Sequence, residues 1–146
     1  MKIQRRKRNK QAGVTLIEML VVVTIIALFA ALVGRNLFKQ TDKARVAAAR
    51  AQIEMFMGAL NMYKLDVGSV PSTEQGLEAL WRRPAEVARW DGPYVEKEIP
   101  PDPWGNPYVY RFPGEHGEMP DITSFGADGQ PGGEGVNADI VSWRSH

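Results

Sequence analysis

Residues 13–33 read GVTLIEMLVVVTIIALFAALV, and the rest of the chain is organised around this stretch. Across residues 14–33, thirteen of twenty side chains are Val, Leu, Ile or Phe, and only Glu18 is charged. A helix of that length, at about 1.5 Å per residue, spans roughly the 30 Å hydrocarbon core of a bilayer. The apolar side chains offer about −4 to −8 kcal/mol toward insertion, against a cost of about 2.5–3.5 kcal/mol for an acid at mid-membrane. Insertion wins, and Glu18 is its one liability. Two readings of this residue stand: a carboxylate at headgroup level or protonated, and a functional carboxylate that needs a counter-charge.

Working outward, the first thirteen residues hold six Lys and Arg and no acid, which favours a cytoplasmic N-terminus. A cleavable secretory signal also has a basic start, and Ala30-Ala31 offers small residues. Its apolar core, however, is only about 7–15 residues long and rarely carries an acid, so a spanning helix is the better reading.

The positive charge is topological. Net charge is +1 over 146 residues, but from residue 14 onward 12 basic side chains face 17 acidic ones, a net of −5. This is no nucleic-acid footprint. The absence of cysteine excludes disulfides, thiolate metal sites and thiol nucleophiles. With only His116 and His146, histidine catalysis has little support, and no phosphate-binding P-loop occurs. A hydrolase built on Asp128 and Glu134 would lack a positioned base or nucleophile. The chain is not read as an enzyme.

No proline interrupts residues 1–70. Beyond Val33, the residues Leu37, Thr41, Ala44, Ala48, Ala51, Met55, Gly58 and Met62 recur in steps of four and three. Phe56, Ala59, Leu60 and Tyr63 widen the stripe. This is the period of an amphipathic helix that continues the membrane span to about residue 67, with Gly68 just past its end. Gly34 is a soft point. Over residues 50–66 the stripe is expected to pack on the chain's own domain. The alanine-rich part, 44–51, leaves room for close approach of a second helix.

Val70-Pro71 breaks the chain. Ser72 and Gln75 form a capping box that opens a short helix to about residue 81 or 82, burying Leu77, Leu80 and Trp81 and ended by Pro84. Residues 84–107 form a proline-rich connector pinned by Trp90, Tyr94, Ile99 and Trp104, and residues 102–108 (DPWGNPY) form a rigid turn. Strand signals occupy residues 108–112, 122–125 and 139–143. A long helix packed on a three-stranded antiparallel sheet is the economical α+β arrangement.

The loop 125–139 reads FGADGQPGGEGVNAD: five of fifteen residues are Gly and five are Asp, Glu, Asn or Gln. Ca²⁺ takes about six to eight oxygens in flexible geometry. EF-hand spacing is absent, and composition leaves a solvated turn and a cation site both open.

The run Gly13-Val14-Thr15-Leu16-Ile17-Glu18-Met19-Leu20 resembles the N-terminus of type IV prepilins and pseudopilins, departing at Val14 where the family usually has Phe. The resemblance implies cleavage between Gly13 and Val14 by a membrane aspartic peptidase, N-methylation of Val14, and a role for Glu18 in assembly. Residues 72–80, the 102–108 turn, Ser124 to Gly129 and Ala138-Asp139-Ile140 resemble the major pseudopilin family of type II secretion systems (general secretion pathway protein G). Adhesive type IV pilins commonly carry a C-terminal cysteine pair, which is missing here.

This second resemblance implies a type IV pilin-like α+β fold. Residues 1–13 would be a cytoplasmic leader, 14–34 a transmembrane helix, and 35–146 a periplasmic domain: amphipathic helix to about 67, loop and short helix over 68–107, sheet and calcium loop over 108–146. It implies structural Ca²⁺ held by Asp128, Asp139 and the Phe125 carbonyl, with Asn137 and the Gln130 carbonyl as further candidates. It also implies a subunit that polymerises into the pseudopilus driving folded proteins across the outer membrane. Partners would be further copies of itself, minor pseudopilins, the inner-membrane assembly platform, the prepilin peptidase and inner-membrane lipid, but no nucleic acid. The alternatives are a pilin of another filament system and a single-pass anchored periplasmic binding domain.

Overall fold

The computed structural model describes residues 13–144, without the side chains of residues 34–39. The leader up to residue 12, the side chain of Leu37, and His146 lie outside the described residues. One helix, α1 (Leu16–Val67), carries both the apolar run and the amphipathic run. The chain divides into two units, Met1–Lys39 and Gln40–His146.

In the first unit, Leu16–Val33 is long and apolar enough to cross a membrane, with a mean hydropathy of 2.9 and no part of it buried among the described residues. Thr15 starts the helix. Its carbonyl and its hydroxyl both accept from the Glu18 N–H, at 3.1 and 3.3 Å, satisfying one of the donors a helix start leaves open.

In the second unit, the buried face of α1 is not the face expected. Ala49, Ile53, Phe56, Ala59, Leu60 and Tyr63 are buried, and Val46, Met57 and Val67 pack against them. Ala44, Ala48, Ala51, Met55, Gly58 and Met62 are exposed. The helix carries two stripes of the same three-four spacing, offset by one to two residues. Burial follows area: Ile53, Phe56, Leu60 and Tyr63 remove far more apolar surface from water than alanine and glycine can. The packing expected over residues 50–66 is present, but along the residues that only widened the stripe.

After α1, the capping box forms as expected: Gln75 N–H donates to Ser72 Oγ at 3.3 Å and Ser72 N–H to Gln75 Oε1 at 3.0 Å. It opens a turn rather than a continuous helix. Gly76 has φ +58°, and only a single 3₁₀ turn, Leu77–Leu80, follows. A positive φ is incompatible with right-handed helix, so Gly76 divides the segment. Leu77 and Leu80 are buried and Trp81 is half-buried.

The connector is pinned by the aromatics expected to pin it. Trp90 Nε1–H donates to the Ala79 carbonyl at 2.8 Å and Tyr94 Oη–H to Asp66 at 2.9 Å. Tyr94 also meets Tyr63 and Trp90 edge-to-face.

Three strands close the chain: β1 (Val109–Arg111), β2 (Asp121–Ser124) and β3 (Ile140–Val141). They form an antiparallel sheet in the order β1-β2-β3, with Tyr110 opposite Ile122 and Ser124 opposite Ile140. β1 and β3 are shorter than the expected spans because turns take their ends, and β2 keeps its expected length but begins one residue earlier. Tyr110, Ile122 and Ile140 join the core under α1. The segment after α1 is tied to β1 by Tyr110 Oη–H to the Pro71 carbonyl (2.7 Å) and by reciprocal bonds between Thr73 Oγ1 and the Phe112 backbone (2.8 and 2.9 Å). The β1–β2 turn is held by Asp121, which accepts from Glu115 N–H and faces His116, whose ring stacks on Trp143.

Candidate functional site

The residues expected to carry chemistry fall into two groups, one in each unit. In the first unit, Gly13 and Val14 precede α1 and are exposed, and Glu18 lies in its first turn. Among the described residues, no base is paired with the Glu18 carboxylate. The apolar side chains around it, Leu16, Ile17, Leu20, Val21 and Val22, are exposed too.

The second group lies in the loop between β2 and β3. Two 3₁₀ turns shape it, Gly126–Asp128 and Gly135–Asn137, and they pack against each other. Phe125 precedes the first turn and Asp128 ends it, with Gly129 left-handed at φ +66°. Asp128 Oδ1 accepts from Gln130 N–H at 3.1 Å, an Asx turn that fixes the carboxylate over its own backbone. Asp139 reaches back across the loop, and its two oxygens accept from Gly132 N–H at 3.0 and 2.9 Å. Asn137 closes the second turn.

The loop is tight enough to require its glycines. A Cβ on Gly126 would fall 2.7 Å from the Val136 carbonyl oxygen, and one on Gly133 would fall 2.5 Å from that of Asn137. Asp139 is therefore brought onto the Gly132 side of the loop and Asn137 onto Gly133, while Asp128 and Gln130 share a turn beside Phe125. Among the described residues, no group of three or more Asp, Glu, His or Cys side chains stands close enough to hold a metal ion. The donors on offer are two carboxylates, amide oxygens and backbone carbonyls.

The expectation did not include the residues that hold this loop to the sheet. Asp102 is 3% exposed. Its Oδ1 accepts from Trp104 N–H (3.1 Å) and Asn106 N–H (2.8 Å), and its Oδ2 from Ser124 Oγ–H (2.6 Å). Asn106 Nδ2–H then donates to the Gly126 carbonyl at 3.0 Å. The 102–108 turn was legible from its prolines and Gly105, and an acid opening such a turn is the signal that was available.

The comparisons follow the same division. The family described as Type II secretion system (T2SS), protein G matches residues 36–143, and the prokaryotic N-terminal methylation motif matches residues 8–34. The chain is 45% identical over 140 residues to the type II secretion system core protein G of Pseudomonas aeruginosa, covering 94% of this chain and 98% of that one. It is 45% identical over 142 residues to the protein of the same description from Vibrio cholerae, covering 95% and 96%. Among solved structures, it superposes on the major pseudopilin from the type 2 secretion system of enterohaemorrhagic Escherichia coli. That match has a TM-score of 0.60 and 37% identity, covering 74% of this chain and 94% of the other. The α+β architecture, the exposed apolar helix and the methylation motif thus meet in one family, and the chain belongs to the type II secretion system protein G family.

Proposed function

We propose that this chain is the major pseudopilin of a type II secretion system, a structural subunit rather than an enzyme, which polymerises into the fibre that drives folded proteins across the outer membrane. The observation that carries this reading is the apolar stretch of α1. It holds one acid, Glu18, five residues beyond Gly13, that pairs with no base among the described residues, and none of the described residues covers it.

The leader holds the precursor in the inner membrane as a single-pass protein with its C-terminal domain in the periplasm. The prepilin peptidase cuts between Gly13 and Val14, and the new N-terminus is methylated. In the fibre, Glu18 of one subunit pairs with the Val14 amine of its neighbour, giving the carboxylate its counter-charge and fixing the axial register. Repeating one such unlike pair of surfaces generates an open helical filament. Minor pseudopilins, the inner-membrane assembly platform and a separate cytoplasmic ATPase are the other components, and lipid surrounds the subunit before assembly.

The same reading gives the β2–β3 loop a structural Ca²⁺. Its donors are oxygens only, which suits a hard cation. Asp128 and Asp139 are the carboxylate ligands, and the Phe125 carbonyl, Asn137 and the Gln130 carbonyl complete the candidate set. The glycine-lined closure at Gly126 and Gly133 supports this fit, since it draws both turns of the loop together without side chains in between. Held by these residues, Ca²⁺ would tie the loop to the sheet in a chain that has no cysteine.

Mass spectrometry of the membrane-extracted protein tests the processing step. The expected mature chain begins at N-methylated Val14. A start near Leu32 or Val33 would mean ordinary signal-peptide removal and would end the pseudopilin reading.

A further inference from the structure

We propose that Asn106 is a positioning residue for the calcium loop: from the 102–108 turn it bonds the start of the short helix that carries Asp128 and lies against the residue just past its end. The inference rests on the calcium reading above and adds a residue from outside the loop.

The first part of the argument is the rigidity of the frame. The turn closes on itself through Asp102 N–H to the Asn106 carbonyl (2.8 Å) and Gly105 N–H to the Asp102 carbonyl (2.9 Å). Asp102 then fastens it to the sheet, because its carboxylate accepts from Ser124, the fully buried last residue of β2. Charge-assisted bonds of this kind, away from water, are about twice as strong as neutral ones.

The second part is what the frame presents. Asn106 Nδ2–H donates to the carbonyl of Gly126, which opens the helix Gly126–Asp128. The Oδ1 of the same amide lies beside Gly129, which ends that helix, and a Cβ on Gly129 would fall 3.1 Å from it. One side chain therefore occupies the space at the first residue of the helix and at the residue just past its last. Asp128 lies between the bonded Gly126 and the neighbouring Gly129, so its direction is set from the turn. Gly126 in turn packs on the Val136 carbonyl, which relays the position toward Asn137 and Asp139.

The consequence is pre-organisation. A glycine-rich loop that must be ordered by the ion itself spends part of the binding energy on that ordering. A loop already held by Asn106 does not, so the site binds more tightly. A merely structural Asn106 would lower the melting temperature without calcium and leave the affinity of the folded protein unchanged.

The experiment is a calcium titration of the detergent-solubilised full chain by isothermal calorimetry, paired with tryptophan-fluorescence melting in EGTA. Wild-type chain that gives no binding heat ends the calcium reading itself, and this inference with it. If wild-type binds, Asn106→Ala is expected to bind about 10- to 100-fold more weakly, the usual cost of removing a group that orients a metal ligand, with an EGTA melting point near that of wild-type. Affinity within about threefold of wild-type, well short of that cost, overturns the positioning role and leaves the calcium site standing. Should Asn106→Ala fail to fold in EGTA, Asn106→Ser, which keeps a small polar group too short to reach the Gly126 carbonyl, decides by the same ratio.

Discussion

Three tyrosine hydroxyls show how single residues bind the connector and the sheet into one core. Burial pushes the Tyr63, Tyr108 and Tyr110 hydroxyls above the ordinary tyrosine range, with the Asp102 charge adding to the effect at Tyr108 and Tyr63 adding to it at Tyr110. Tyr108 bonds to Gln52 on α1 and Tyr110 to the Pro71 carbonyl. Because these pKa values are raised on folding, the folded chain keeps protons that the unfolded chain releases above about pH 10. Their contribution is fully present below that pH and is lost as pH rises toward the folded values. Thermal melts across pH 7–11 are expected to be flat on the neutral side and to fall steeply above about pH 10. Tyr110→Phe should cost about 1 kcal/mol at neutral pH through the lost bond and make the alkaline fall shallower. An unchanged alkaline slope in that variant would mean that Tyr110 is not one of the groups responsible.

Among the elements, α1 is the one whose second half has two faces of equal period and unequal volume. Truncating the buried face is expected to be expensive: Phe56→Ala should cost about 3–5 kcal/mol, because a cavity replaces the ring beside Tyr108. Ala51→Ser on the exposed face should stay within about 0.5 kcal/mol, as surface changes usually do. Denaturation of the two variants side by side measures the contrast, and equal losses would refute the assignment of faces. The period of this helix was legible in the sequence, but its inward face was not, because spacing alone does not rank two stripes. Side-chain volume does, and Ile53, Phe56, Leu60 and Tyr63 outweigh Ala48, Ala51 and Gly58. A similar limit applied at Gly76. The capping box between Ser72 and Gln75 was readable, whereas the positive φ that stops the helix depends on how the segment meets β1 through Thr73 and Phe112. The strands were found near where aromatic alternation placed them: β1 and β3 lost their ends to turns, and β2 moved one residue toward the N-terminus.

For the whole molecule, the sequence disclosed most at its N-terminal end and least in its last loop. A long apolar run with one acid, a basic leader and no cysteine already constrained topology, class and the absence of disulfide staples. The loop carboxylates Asp128 and Asp139 were visible as residues. Their support from Asp102, Asn106 and Ser124 was not, since it depends on contacts across about twenty positions of chain. The central claim concerns copies of the molecule rather than one copy: the exposed apolar helix is stable outside lipid only when neighbours cover it, and Glu18 selects the register in which they do. The direct measurement is the yield of sheared, pelleted fibres from cells that make the Glu18→Ala chain in place of the wild-type, with the mature N-terminus checked in the same cells. Correctly processed subunit that stays in the membrane fraction and forms no fibres is the predicted result. Fibres at wild-type abundance would contradict it.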